Sequence, residues 1–365
     1  VSSIVAPILS VYVVDRLVRA KWLYIVCHAV LAATAAGMFA ARSFEAFLAL
    51  YLVNAMCTGP SMGMLNAIAF QRLYDIEGSA RNFGSIRVWG TLGWMGAGYL
   101  VTGLWAALPA LFPALTAAGI QSWAFIVAGA GSAACIALSV SLPGDNPPAQ
   151  EKREFFPRAA MEVFRRKGIA VLFAVYLISS IIDKLYAFGA APYLARMGFR
   201  EALVPSILTL GQVTEVFMLF GLGALLSRFA YKPVLVLGAG TQAVRFLLLW
   251  SGVPALGLIG VSLNGIVFAC LYSAILMYMD QRSDARSRQS MHQLVQLFAG
   301  GASALLGNAL AGLLGQLVLA DGGPGYRGYW LFPLGGALSS VLLIWLLFRE
   351  ERQRGGGPAR IRLEH

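Results

Sequence analysis

Apolar residues run through this chain in long unbroken stretches, and the polar residues collect between them. A short apolar run, Val1 to Val14, is followed by ten longer ones with approximate limits 22–41, 46–70, 84–108, 121–142, 168–195, 203–226, 233–250, 253–279, 291–319 and 329–348. Most exceed the roughly 20 residues that an α-helix needs to cross a bilayer. The pattern therefore predicts spanning helices, eleven if the first run is counted. Several contain Pro or Gly (Pro60, Pro192, Gly300 with Gly301); neighbouring helices tolerate these, and they often mark bending points in transporters.

Composition agrees with the pattern and sharpens it. With 58% hydrophobic residues, 12% charged residues and a mean hydropathy of +0.71, the chain reads as an all-α polytopic membrane protein and not as a soluble domain. A net charge of +11 would suggest nucleic acid as partner for a soluble protein, but here the basic residues lie between spans, where membrane orientation accounts for them. Loops 15–21, 71–87, 143–167, 227–232, 280–290 and the tail from 349 hold 22 of the 28 Lys and Arg. Those loops, and with them the C-terminus, are expected on the cytoplasmic side. Arg42, Arg196, Arg200 and Arg327 fall on the other side, and Lys184 and Arg245 fall inside spans. Cys27, Cys57, Cys135 and Cys270 lie in apolar runs without metal-ligand spacing, so they read as small packing residues, and no metal or other cofactor is expected.

The chain also repeats itself. A turn Val11-x-x-x-Asp15-Arg16-x-x-Arg19 recurs as Gly223-x-x-x-Ser227-Arg228-x-x-x-Lys232, at an offset of 212 residues, and the helix starts near 22, 46 and 84 reappear near 233, 253 and 291. Such symmetry is the mark of transporters built from two similar bundles, with these turns as candidate cytoplasmic gates. The expected division is an N-terminal bundle over 1–142, a linker over 143–167, a C-terminal six-helix bundle over 168–349 and a basic tail over 350–365. Carried backwards, the offset implies that the first helix and part of the second, about 45 residues, are lacking from the front.

Charged residues inside spans are the candidate chemistry. Arg87 enters the start of a long apolar helix, where a guanidinium near the bilayer centre costs roughly 2.5–3.5 kcal/mol unless a polar or anionic group answers it. Arg87, Thr91 and Trp94 stand at i, i+4 and i+7 on one face, while Gly90, Gly93 and Ala97 offer a seam for close helix packing elsewhere. The bland alternative makes Arg87 an orienting anchor and Trp94 a packing residue. Glu215 lies ~18 Å into its span at 1.5 Å per residue, with Gln212 one turn before it. A carboxylate there can accept both hydroxyls of a vicinal diol, a glutamine can pair with a base edge, and Trp94 can stack on a heterocycle. Asp183 has Arg245 as a better partner than its neighbour Lys184, which points about 100° away. His28 and His292 read as packing or interfacial residues.

Over nearly its whole length the chain resembles bacterial nucleoside:proton symporters of the major facilitator superfamily, on DRLVRAKW with LYIVCH, VNAMCTGPSMGMLNAIAFQRL, SIRVWGTLGW and GQVTEVFMLFGLGALLSRFAYK. The resemblance implies a twelve-helix transporter in the inner membrane, with a site between two six-helix halves. It places the family's arginine, threonine and aromatic on Arg87, Thr91 and Trp94, and its glutamine and glutamate on Gln212 and Glu215. Amides on the seventh helix are replaced by Asp183 and Tyr186; on the tenth, Phe268 and Tyr272 are kept, but an expected acid is Ser273.

Residues and resemblance together predict proton-coupled nucleoside import by alternating access, by a monomer in the lipid bilayer. Glu215 or Asp183 would take the proton. A sugar or oligosaccharide symporter of the same fold is the first alternative, since an arginine and a carboxylate suit any polyol. A membrane enzyme or sensor is the second, disfavoured because no nucleophile motif or added soluble domain is recognisable.

Overall fold

The computed structural model describes residues 20–77, 83–141, 167–282, 295, 297–318 and 325–350, without the side chains of 20, 62–64, 66–77, 83–88, 280, 297 and 299. All elements among the described residues are helical. They are α1 (Ala20–Ala40), α2 (Phe44–Glu77), α3 (Phe83–Leu111), α4 (Ala117–Val140), α5 (Lys167–Arg196), α6 (Val204–Leu208), α7 (Leu210–Arg228), α8 (Tyr231–Trp250), α9 (Pro254–Ser262), α10 (Asn264–Val267), α11 (Ala274–Gln281), α12 (Ser303–Val318) and α13 (Gly325–Leu347). Two π-helical segments, Phe268–Ser273 and Leu297–Ala302, lead into α11 and α12. Among the described residues nine stretches are long and apolar enough to cross a membrane. Of the eleven predicted, α2 is not in that set, and Val1–Val14 lies outside the described residues. So do Asp15, Arg16, Arg19, His292 and most of the linker and tail.

The chain divides into two compact units, Val1–Arg153 and Glu154–His365. In the first, α1 packs against α2 and α4. Asn54 on α2 donates to Thr34 Oγ1 on α1 at 2.8 Å, and Lys21 Nζ donates to Val140 O at the end of α4 at 2.9 Å. In the second, α8 packs against α13 and the Phe268–Ser273 segment, and α5 against α12 and α13. Lys232 Nζ donates to Trp345 O and Phe348 O, both at 2.9 Å, at the end of α13. Each unit thus uses a lysine at the start of one helix to satisfy carbonyls that the last helix leaves unpaired, where the helix dipole also favours a cation. The sequence repeat matched Arg19 with Lys232 only within a residue of its offset; among the described residues the side chain doing the same work in the first unit is Lys21. Glu350 returns the favour at the other pole, its carboxylate accepting from Tyr231 N (3.3 Å) and Lys232 N (3.5 Å) at the start of α8.

Two predicted spans are not uniform helices. The run 203–226 breaks at Thr209, whose N–H turns back to Ser206 O, so that α6 and α7 are separate elements. The run 253–279 breaks at Leu263 and then widens into the π segment. Among the described residues nothing packs into the expected seam on α3: Gly90, Gly93 and Ala97 are exposed, and a Cβ on Gly93 would meet nothing within 4 Å. Close backbone approach occurs instead in the second unit. A Cβ on Gly238 of α8 would lie 2.7 Å from the Cys270 and Leu271 backbone, and one on Gly265 of α10 would strike Glu215 N, Gly211 O and Thr214 Oγ1 on α7. Gly265→Ala is therefore expected to lower the thermal unfolding temperature of the purified protein, by a loss of about 1–3 kcal/mol or more. Gly93→Ala should leave it unchanged or slightly higher; equal effects of the two substitutions would contradict the α7–α10 contact.

Candidate functional site

Helix α5 brings Ser179, Asp183 and Tyr186 to one face, at i, i+4 and i+7. Opposite them, α8 supplies Gln242 and Arg245, and the π segment supplies Tyr272. Arg245 Nη1 pairs with Asp183 Oδ1 at 3.4 Å, and Tyr272 donates its hydroxyl to Asp183 Oδ2 at 2.8 Å. The guanidinium carbon of Arg245 stands 3.7 Å from the centre of the Tyr186 ring, so the π face covers the cation. Ser179 donates to Gln242 Oε1 at 3.1 Å, one turn away. Tyr176 packs edge-on to Tyr272 with ring centres 5.1 Å apart, and Phe268 lies 6.2 Å from Tyr272. Arg245 is 0% exposed, whereas the Asp183 side chain is 32% exposed. The pair is sealed at its cation and open at its carboxylate.

Gln212 and Glu215 lie one turn apart on α7 and are half-buried. Glu215 is at the middle of the spanning stretch Glu201–Arg228. The break at Thr209 leaves carbonyls within reach of Gln212. With the Gln212 amide assigned so that its nitrogen faces these carbonyls, that nitrogen donates to Leu208 O at 2.9 Å and to Thr209 O at 3.2 Å, the latter also accepting from the backbone of Gln212 and Val213, and the amide oxygen points away from the break. Thr214 donates to Gly211 O at 2.9 Å and to Ser262 O, tying α7 to the end of α9. The close approach of Gly265 to the backbone of Glu215 and Gly211 holds this part of α7 against α10.

In the first unit Thr91 is half-buried and Trp94 is 66% exposed, while Arg87 falls in the second turn of α3 with its side chain outside the description. Ser227 bonds back to Ala224 O at 2.8 Å, and Arg228 lies 5.9 Å from the Phe229 ring. Two features went unforeseen. Arg245 was expected only as a partner of Asp183, yet it also organises Tyr186; its position inside a span was the signal. Cys27, Cys57 and Cys135, far apart in sequence, gather beside Tyr24 as free thiols, and His28 leans on the same ring with centres 4.4 Å apart.

Nine candidate spans among the described residues, with an ion pair held inside the second unit, define a multi-pass membrane protein. The fold is that of the major facilitator superfamily: a crystal structure of the nucleoside transporter NupG aligns with 96% of this chain and 88% of its own at a TM-score of 0.75 and 20% identity. A bacterial homologue of the human lysosomal transporter Spinster, inward-facing and occupied, aligns over 93% of this chain and 84% of its own at a TM-score of 0.69 and 15% identity. The chain belongs to the Nucleoside H+ symporter family, whose pattern matches residues 1–353. YegT of Escherichia coli (strain K12), which bears a nucleoside-transporter name, is 27% identical over 96% of this chain and 84% of its own length. The nucleoside permease NupG of the same organism is 21% identical over 97% and 86%, respectively. The chain is accordingly a proton-coupled nucleoside transporter.

The contact between Arg245 and Tyr186 can be tested without transport. Tyr186→Phe keeps the ring and should leave thermal stability within experimental scatter. Tyr186→Leu uncovers a buried cation, and unfolding should come earlier by the equivalent of about 1–2 kcal/mol. Equal stability of both variants would mean that the ring does not hold the guanidinium.

Proposed function

We propose that this transporter is a monomer of the cytoplasmic membrane, with its C-terminus in the cytoplasm, that imports nucleosides with protons and performs no covalent chemistry on them. The observation that carries this reading is the set of hydrogen-bonding and ionisable side chains on α5, α7 and the π segment, inside spans of a chain whose family couples nucleosides to protons. Lipid would not sustain such groups, so they serve a solute or proton path.

In this reading the C-terminal unit offers Gln212 and Glu215 for hydrogen bonds, and Tyr186, Phe268 and Tyr272 as aromatic and hydroxyl contacts. Glu215 accepts from the ribose diol, since an ionised carboxylate has acceptor sites for both hydroxyls. Arg87 and Thr91 give donors and Trp94 a stacking surface. The proton is carried by a carboxylate, Glu215 or Asp183, whose neutralisation permits the loaded carrier to reorient. Asp15, Arg16 and Arg19, with Ser227 and Arg228, form the cytoplasmic gating turns.

The direct test is uptake of radiolabelled uridine and adenosine into proteoliposomes under an imposed pH gradient. Accumulation should collapse with a protonophore; uptake unaffected by it would remove proton coupling from the reading. Arg87→Lys keeps the charge but loses the planar fork of donors, so nucleoside affinity should fall about tenfold while the protein still inserts. Unchanged affinity in Arg87→Lys, with misfolding in Arg87→Ala, would make Arg87 a structural anchor. Glu215→Gln should weaken nucleoside binding, because a neutral amide accepts less strongly than a carboxylate, while the gradient still drives accumulation. Loss of accumulation with full exchange in that variant would assign Glu215 the proton instead.

A further inference from the structure

We infer that the buried Asp183–Arg245 pair is the proton-coupling element, with Asp183 as the group that takes the proton and Arg245 as the residue that positions and charges it. The inference rests on the symport reading above. Arg245 is 0% exposed, and among the described residues its single ionic partner is Asp183. Its Nε and Nη2, like the Nε2 of the adjacent Gln242, have no hydrogen-bond acceptor there. A guanidinium keeps its proton at any working pH. Whatever proton enters this cluster must therefore be taken by the carboxylate, and it is the carboxylate, 32% exposed, that is open to receive one.

Protonation is then a structural event. A proton passes from water to an Asp183 carboxylate oxygen and later returns to water; no covalent bond between heavy atoms changes. While it is bound, the positive charge of Arg245 has no counter-charge in a site already lacking acceptors, so the register of α5, α8 and the π segment that suits the ion pair no longer suits the cluster. Tyr272 converts that change into movement of a helix: its hydroxyl bonds Asp183 Oδ2, and it sits in the Phe268–Ser273 segment, where the widened ladder can shift by one hydrogen bond. Among the described residues the other titratable groups facing the pair are Tyr176 and Tyr186 on α5 and Tyr272 itself, all phenols. Lys184, the neighbouring cation, is turned to α12, where its Cβ would stand 2.6 Å from a Cβ on Gly307. Asp183 and Arg245 are therefore the charges that decide the outcome.

The test compares wild type, Asp183→Asn, Arg245→Gln, Arg245→Lys and the double variant Asp183→Asn/Arg245→Gln in proteoliposomes. Two readouts are taken, gradient-driven uridine accumulation against external pH and gradient-independent uridine exchange. Asp183→Asn should lose accumulation at least tenfold while exchange is still detected. Arg245→Gln leaves the carboxylate without its cation, and the pH profile of accumulation should depart from that of wild type. Arg245→Lys should restore the wild-type profile, which a purely structural role for Arg245 would not predict. The double variant removes both charges and avoids a lone buried one, so it should fold, exchange uridine and show no response to pH even if Arg245→Gln does not fold. Accumulation persisting in Asp183→Asn or in the double variant would overturn the inference, as would an unshifted profile in Arg245→Gln. If wild type moves no nucleoside, the symport reading fails separately. The pair is then judged by infrared difference spectra across pH, where a protonated-carboxyl band absent from Asp183→Asn and displaced in Arg245→Gln supports it, and a band unchanged in both refutes it.

Discussion

A guanidinium that cannot be discharged, placed where water does not reach it, sets the terms for the C-terminal unit. Isolated burial of such an ion would cost several kcal/mol even after relaxation. Arg245 meets that demand with a carboxylate from α5 at 3.4 Å and an aromatic face from the same helix at 3.7 Å. The carboxylate in turn holds a tyrosine from the π segment. Three elements far apart in sequence are thereby locked in one register, and a slide of α8 by a single turn would move the cation about 5.4 Å from its partner.

The close contacts that let this happen are made by glycine. At Gly238 the backbone of α8 lies against that of Cys270 and Leu271, which brings Arg245, two turns further on, within reach of a side chain that the π segment shares. At Gly265 and Gly211 the α7 and α10 backbones meet without side chains between them. Any larger residue at these points would push the helices apart by more than the tolerance of a hydrogen bond. Small residues at helix interfaces in membranes are usually valued for dispersion. Here they also set distances between polar groups.

Much of the fold was legible because spanning a bilayer imposes a length and a composition that no local detail can hide. The lysines that cap helix ends, Lys21 and Lys232, lie within one position of the 212-residue offset read from the sequence. The breaks at Thr209 and the π segment left no mark, because one residue more or less within an all-apolar run changes no polar position. For the same reason the small face of α3 could not be told from a packed one. Asp183 and Arg245 could be paired in advance because charges in spans must answer each other. The covering of Arg245 by Tyr186, and the three cysteines around Tyr24, depend on helix rotation, which a uniformly apolar sequence does not encode.

That leaves the question of why an ion pair stands here at all. Replacing a buried pair by well-packed apolar residues is often neutral or even stabilising by 1–4 kcal/mol, whereas removing one partner is strongly destabilising. Stability alone therefore gives no reason to keep Asp183 and Arg245, and gives a reason to avoid leaving Arg245 Nε and Nη2 without acceptors. An arrangement that a less polar core would improve, sealed on its permanent charge and open on its titratable one, is what a protein needs if a proton is to change its shape. A stable core has no use for a group whose charge can vary; a symporter cannot work without one.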